Sequence, residues 1–445
     1  MQPGHEFSYR SGHLCCEDID LEELARRHGT PAYVYSQTGI RARFHAYEDA
    51  LKGLPHRVCF AVKSNSNLAV LATLANEGAG FDIVSGGELY RVLTAGGDPH
   101  SVVFSGVGKT EAEIRFALEQ QIHSFNCESE DEIGLISGIA TSLGLKASIA
   151  IRVNPDVDAV THPYISTGLR EHKFGVDIHG AEEIYCRAAK LPGVVLEGVS
   201  CHIGSQLLTI DPLLEAAEKA IGLTLRLQSE GLPIRNLDLG GGLGVPYKPR
   251  DRAVDIRGFV AQLRPRIEPL NLTLMLEPGR SIVAEAGILL TRVLLVKQNG
   301  EKTFVIVDAA MNDLIRPALY HAHHEIVPLK DNATGARVIA DVVGPVCETG
   351  DFFARDRELP ILATGDLVAI RTAGAYGFVL ASNYNSRPRP CELMVSGSRI
   401  DVVRRRETYE DLIRGELSPD NAENDIVHTD LGHERAACDI CTKPA

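Results

Sequence analysis

The chain has 445 residues, 44% of them hydrophobic and 23% charged, with 45 Lys+Arg against 59 Asp+Glu for a formal net charge of −14. That length suits two or three domains, or one large barrel with a smaller unit, and the balance is ordinary for a soluble globular protein. An acidic chain with no basic stripe is a poor candidate for nucleic-acid binding, and with no run of 18 or more apolar residues no membrane span is expected.

The opening, MQPGHEFSYR, carries no apolar signal segment. Ten cysteines at irregular spacing, without such a signal, read as reduced thiols in the cytoplasm. Residues 1–40, TPAYVYS in particular, read as a segment that leads into a first helix and joins a β domain. Short apolar β-rich segments then recur at 58–62, 80–84, 101–104, 123–126, 146–153, 196–201, 237–239 and 272–276, with helical segments between them. Several, such as IAIRV and LMLEP, are nearly continuous apolar runs, as strands buried on both faces should be. In one helical segment Asp211 is expected to cap and Pro212 to take the first helical position. Leu213, Leu214, Ala217, Ala220, Ile221 and Leu225 share a face there, and Gly231 ends the element.

Eight such units over 41–283 predict an α/β fold, a (β/α)8 TIM-type barrel; an open doubly wound sheet is the alternative. After Ile282 strand-like segments at 289–296, 303–307, 336–343, 366–372 and 392–400 follow without long helices. Residues 284–416 are therefore expected to form a mainly β, sandwich- or barrel-like domain. Residues 417–445 are polar and acidic and read as a mobile tail.

Barrel sites form at the C-terminal ends of strands. Lys63 follows the first strand, Asp82, Ser85 and Glu88 the second, and His202 and Ser205 the sixth. Gly240, Gly241, Gly242 and Gly244 follow the seventh, and Glu277, Pro278, Gly279 and Arg280 the eighth. A plain tight turn would explain GGGLG alone. Its place beside EPGR, on the two loops that commonly build a barrel's phosphate site, favours an anion-binding nest. Lys63 at the end of VCFAV is read as an ammonium in a partly desolvated pocket, with a lowered pKa and the capacity to form a Schiff base. A phosphate-binding nest plus a Schiff-base lysine points to pyridoxal 5'-phosphate, with Glu277 holding the ring nitrogen protonated. The bland readings are a salt bridge from Glu277 to Arg280 and a satisfied core histidine at His202.

FAVKSN, FDIVSGGE, CHIGSQ, LDLGGGLG, EPGR, GPVCETGDFFARDRELP and GAYG stand in this order from about Leu14 to about Leu412. In them the chain resembles the fold-III pyridoxal-phosphate decarboxylases, and MNDLIRPALYHAHHEI is similar to the branch that converts diaminopimelate (meso-2,6-diaminoheptanedioate) to L-lysine. The resemblance implies a barrel followed by a β-sandwich domain, in an obligate homodimer with shared sites. It implies cofactor contacts from Lys63, Asp82, His202, Ser205, Gly240, Gly241, Gly242, Glu277, Pro278, Gly279, Arg280 and Tyr376, His202 stacking on the ring. It gives the substrate's distal carboxylate to Arg280, Arg316 and Tyr320, its distal amino group to Glu348, and a further contact to Tyr376. Cys347 is implied as the acid that protonates Cα, with Cys347 and Glu348 supplied by the partner subunit. Catalytic work falls to Lys63, His202 and Cys347.

No metal is expected. The run Tyr320-His321-Ala322-His323-His324 has no carboxylate at a convincing ligand spacing, and His428, His433, Cys438 and Cys441 read more simply as part of the tail than as a zinc site. Two rival functions remain: a decarboxylase of a related carboxylated diamine or polyamine precursor, against which the Arg316–Tyr320 pair counts, and a non-catalytic regulator of such an enzyme. A regulator should have lost Lys63 or Cys347, and both are present.

Overall fold

The computed structural model describes residues 6–157, 173–331 and 335–417. Eight parallel strands run in it as β1 (His56–Ala61), β2 (Gly80–Ile83), β3 (Val102–Phe104), β4 (Ser124–Cys127), β5 (Ala147–Asn154), β6 (Val194–Cys201), β7 (Asn236–Asp238) and β8 (Thr273–Leu276). Each pairs with its successor, and β8 returns to β1 through Leu276 opposite Val58. The sheet is closed, which excludes the open doubly wound alternative.

Local chemistry explains the strand-to-helix alternation. Asn67, Ser85, Thr110 and Ser129 each accept a backbone N–H in the first turn of the helix that follows, a cap contributing about 1 kcal/mol. Thr110 and Glu113 form a reciprocal capping box. The helix predicted after Asp211 runs Asp211–Ser229, but Ile210 occupies the cap position and Asp211 is already helical. Leu225 is exposed, whereas the other five predicted face residues are buried.

Strand register places Cys59 beside Gly80, Asp82 beside Val103 and Asp238 beside Met275. Neighbours in parallel register share a face. Cys59, Val103 and Met275 form a small apolar cluster of their own, and Asp82 and Asp238 stand on the same side nearer the strand ends. The barrel interior thus turns from apolar to acidic toward the end where its loops gather.

A mainly β region follows the short helix Arg280–Val283. Its longest strand, Gly287–Asn299, pairs antiparallel with Ala32–Ser36, with Lys302–Val307 and with Leu367–Ile370. Ala32–Ser36 also pairs in parallel with Cys391–Ser396, so the segment ahead of the first barrel helix lies within this sheet. Its tyrosines tie it down: Tyr33 Oη donates to the Asp313 carbonyl at 2.6 Å and Tyr35 Oη to Glu392 at 2.7 Å. The predicted strand 392–400 is two strands, Cys391–Ser396 and Arg399–Arg404, because Gly397 turns the chain at φ +59°. Phe352–Pro360 is a strand that the sequence did not suggest. Its pairing with Arg337–Val343 shifts register near Asp356, which sits at φ 46°, and this bulge erases the period-two signal.

Residues 407–417 form a separate small unit with the helix Tyr409–Leu412, capped reciprocally by Thr408 and Asp411. The predicted tail, with His428, His433, Cys438 and Cys441, lies outside the described residues. No helix among the described residues is long and apolar enough to cross a membrane.

Candidate active site

A cleft of about 460 Å³ opens where the barrel's loops meet the β region. Lys63, His202, Ser205, Arg280, Arg316, Tyr320 and Tyr376, all predicted site residues, line it together with Gln206, Tyr247 and His321. Lys63 stands on a single 3-10 turn that breaks β1's course, Val62–Ser64, held by Ser64 Oγ donating to the Ala61 carbonyl at 2.7 Å.

The Lys63 ammonium donates to Asp82 Oδ2 at 2.5 Å. Desolvation pulls its pKa down, but the carboxylates of Asp82 and Glu277 push it up and the net shift is upward. This corrects the expectation of a lowered lysine pKa: the pocket beneath the amine is acidic rather than merely dry. Asp82 is completely buried, and its Oδ1 has no hydrogen-bond partner among the described residues.

Below the lysine lies a buried polar layer. Asn126 Nδ2 donates to Asp238 Oδ2 at 2.8 Å, to Glu277 Oε1 at 3.1 Å and toward Ser105 Oγ at 3.1 Å. Asp238 Oδ1 accepts the Gly240 N–H at 2.8 Å. Burial raises the pKa of Glu277 well above the usual carboxylate range, and the neighbouring Asp238 and Asp82 raise it further. Its expected partner Arg280 turns instead toward the cleft, donating to Ser205 Oγ at 3.0 Å and to Tyr247 Oη at 2.9 Å.

His202 is pressed against the glycine loop. Its Nδ1 accepts the Gly241 N–H at 3.2 Å, which leaves the ring proton of a neutral imidazole on Nε2. Burial, then Arg152 and Lys63, hold its pKa well below the ordinary value, so the ring is uncharged. Gly240 adopts φ +65°, and a Cβ there would sit 2.6 Å from His202 Nδ1; a Cβ on Gly241 would meet the Glu277 carbonyl at 2.3 Å. The loop after β7 thus packs directly on the strand-end loop of β8, as a shared anion cradle requires. Gly279 precedes the helix Arg280–Val283, and its carbonyl accepts the Ile282 and Val283 N–H groups at 3.0 and 3.3 Å.

Arg280 and Arg316 are both largely buried and both bind Tyr247, with guanidinium carbons 5.8 and 4.6 Å from its ring centroid. Arg280 also lies 4.8 Å over the Tyr376 ring. Tyr376 itself holds φ 54°, and its N–H donates to the Ser64 carbonyl at 2.8 Å. The strained tyrosine loop is thereby fastened to the turn that carries Lys63.

Other predicted residues lie elsewhere. Ser85 caps the helix Gly86–Thr94, and Glu88 Oε2 accepts the Val84 N–H at 2.8 Å, with its pKa pushed up to about 7 by burial. Cys347 and Glu348 do not line the cleft of their own chain: both are exposed on a loop of the β region. That loop is pinned by Asp351, which accepts the Val346 and Met311 N–H groups at 2.7 Å each, and by Asn385, which accepts the Cys347 N–H at 3.1 Å. Sequence reasoning missed Tyr247, Ser105, Asn126 and Asp238. The only signal for Asp238 was its place immediately ahead of the glycine run.

These groups suit pyridoxal phosphate. A lysine amine faces the cleft, a buried carboxylate oxygen with no partner among the described residues and a buried glutamate of raised pKa lie beneath it, a neutral imidazole flanks it, and a glycine cradle with Ser205 and Arg280 closes one end. The sequence also matches the family model of the pyridoxal-dependent decarboxylases, pyridoxal binding domain, over residues 37–284. It is 56% identical to the diaminopimelate decarboxylase of Pseudomonas aeruginosa over 92% of this chain and 98% of that protein, and 50% identical to that of Vibrio cholerae over 91% and 97%. The fold superposes on the crystal structure of diaminopimelate decarboxylase from Helicobacter pylori complexed with L-lysine, with a TM-score of 0.86 and 46% identity over 89% of this chain and 98% of that one. With a family model matched over more than half of the chain and relatives matched over nearly their whole length, the chain belongs to the diaminopimelate decarboxylases, a branch of the pyridoxal-dependent decarboxylases.

Proposed function

We propose that the chain converts meso-2,6-diaminoheptanedioate to L-lysine and CO2. The observation that carries this reading is the pair of buried guanidiniums, Arg280 and Arg316, facing the cleft that also holds Lys63. Two buried cations on one wall call for an anionic group at the end of the substrate remote from the lysine, and a guanidinium grips a carboxylate in bidentate fashion. The carboxylate lost as CO2 is the one on the reacting carbon; the distal one stays on the lysine product.

Pyridoxal phosphate, when bound, supplies an electron sink for the pair left on Cα as CO2 departs. Lys63 would hold it covalently, and Asp82 would keep the lysine nitrogen oriented. Gly240, Gly241, Gly242, Pro278, Gly279 and the Arg280 backbone, with Ser205 and Tyr376, would seat the phosphate. Glu277 would pair with the ring nitrogen and keep it protonated, and the neutral His202 would lie along the ring face, where a charged imidazolium would oppose a protonated ring. Arg280, Arg316 and Tyr320 bind the distal carboxylate, with Tyr376 alongside, and Glu348 binds the distal ammonium. Cys347 delivers a proton from Sγ to Cα. Because Cys347 and Glu348 are displayed outward, they serve the cleft of a second subunit, and the working form is a homodimer with shared sites, in the cytoplasm.

The purified chain, given diaminopimelate with and without pyridoxal phosphate, should release CO2 and form lysine one for one only when the cofactor is present. Lysine-free or cofactor-independent CO2 release would overturn the reading.

A further inference from the structure

The hydroxyl of Tyr247 accepts hydrogen bonds from both substrate-facing arginines, from Arg280 Nη1 at 2.9 Å and from Arg316 Nη1 at 2.5 Å. A phenolic oxygen carrying a carbon and two accepted N–H bonds has one direction left, and its own proton must point there. No acceptor among the described residues takes that proton. The His324 ring packs edge-on to Tyr247 with centroids 5.3 Å apart. His324 Nδ1 pairs with the Arg371 carbonyl at 2.9 Å, but Nε2 is buried with no hydrogen-bond partner among the described residues. Tyr247 is therefore not spent on His324. Its ring lines the cleft.

We infer that Tyr247 is a third arm of the carboxylate clamp: its oxygen fixes the spacing of the Arg280 and Arg316 guanidiniums, and its proton is donated to the ligand's distal carboxylate. Two flanking cations make the phenol a stronger donor than an isolated tyrosine; although burial alone would raise its pKa, Arg280 and Arg316 bring the net shift downward. The residue binds and selects and takes no part in bond breaking. A carboxylate would receive N–H donors from two sides and an O–H from between them. An uncharged group of similar size would leave three buried donors facing it unpaired, which costs more than the lost contact itself.

The inference rests on the proposed reaction, and the test separates the two. Tyr247→Phe keeps the ring that stacks on both arginines and meets His324, and removes only the hydroxyl. In the cofactor-loaded enzyme this change should raise KM for diaminopimelate and Ki for L-lysine, which retains the distal carboxylate, by roughly 10-fold or more, with kcat changed far less. Ki for 1,5-diaminopentane, which has no carboxylate, should not move. Equal weakening of lysine and the diamine, or no weakening of either, overturns the role of Tyr247. A crystal structure of the unaltered enzyme with L-lysine gives an answer that does not depend on the variant's folding: Tyr247 Oη should lie within about 3.0 Å of a carboxylate oxygen, and a separation too long for a hydrogen bond overturns it. If the unaltered enzyme releases no CO2 from diaminopimelate, the proposed reaction fails; if it does and Tyr247→Phe is indistinguishable from it, only this inference fails.

Discussion

In the proposed reaction Lys63 holds the cofactor and Arg316 the distal carboxylate. Lys63→Ala removes the amine that pairs with Asp82 in the cleft, so turnover should drop by roughly 10³-fold or more while the fold survives. A borohydride-trapped cofactor adduct at the same peptide, with undiminished rate, would refute the assignment. Arg316→Ala strips one guanidinium from a buried carboxylate site, a loss of about 2–5 kcal/mol in kcat/KM. Lysine should bind more weakly to this variant and 1,5-diaminopentane should not, as inhibition constants will show. His324 offers a pH test. Its burial, assisted by the Arg316 charge, lowers its pKa to about 3. A group whose folded pKa is depressed contributes stability above its unfolded pKa of ~6.5 and loses it as pH falls. From pH 7.5 to 5 that one residue should remove about 2 kcal/mol, visible in denaturant titrations, and His324→Gln should flatten that share of the slope. Lys63, Arg280 and the glycines were readable because a polar residue directly after an apolar run is conspicuous. Tyr247, Asn126 and Ser105 were not, because only the folded chain brings Tyr247 to Arg280 and Arg316 and the other two to Glu277. The direction of the lysine's pKa was misread for the same reason, since the acidity beneath it comes from separate strands.

At the scale of elements, the loop after β7 is a packing device as well as the proposed phosphate cradle. Gly241→Ala sets a Cβ 2.3 Å from the Glu277 carbonyl, and backbone cannot yield as a flexible side chain would. Thermal unfolding should register a destabilisation of about 1–3 kcal/mol, and the variant should retain less cofactor by absorbance. An unchanged melting curve with full cofactor content would contradict the packing role. The barrel strands were legible because burial on both faces writes continuous apolar runs. The strand Phe352–Pro360 was not, since a bulge breaks its alternation, and the hairpin of Phe7–Arg10 with His13–Cys16 hides in a segment too short to show a period. The cap at Ile210 was misassigned because Asp211 is a good cap by type and stands one residue too late.

For the whole molecule, the telling fact is that the cleft and the Cys347–Glu348 loop belong to one chain yet do not meet in it. Mixing Lys63→Ala with Cys347→Ala under conditions that exchange subunits should restore about a quarter of full activity, because half the dimers would be mixed and each would keep one intact site of two. No recovery, with mixed dimers confirmed by mass, would contradict shared sites. Sharing could not be read from composition or spacing; it entered through the family resemblance, and the outward display of the loop is what supports it. The central claim is that this site selects a substrate with a second carboxylate. The most direct measurement is therefore kcat/KM for CO2 release from diaminopimelate and from L-lysine offered as a substrate, which places a bare ammonium where the arginines expect a carboxylate. The account predicts that diaminopimelate is favoured by at least about 10³-fold; comparable values for the two would contradict it.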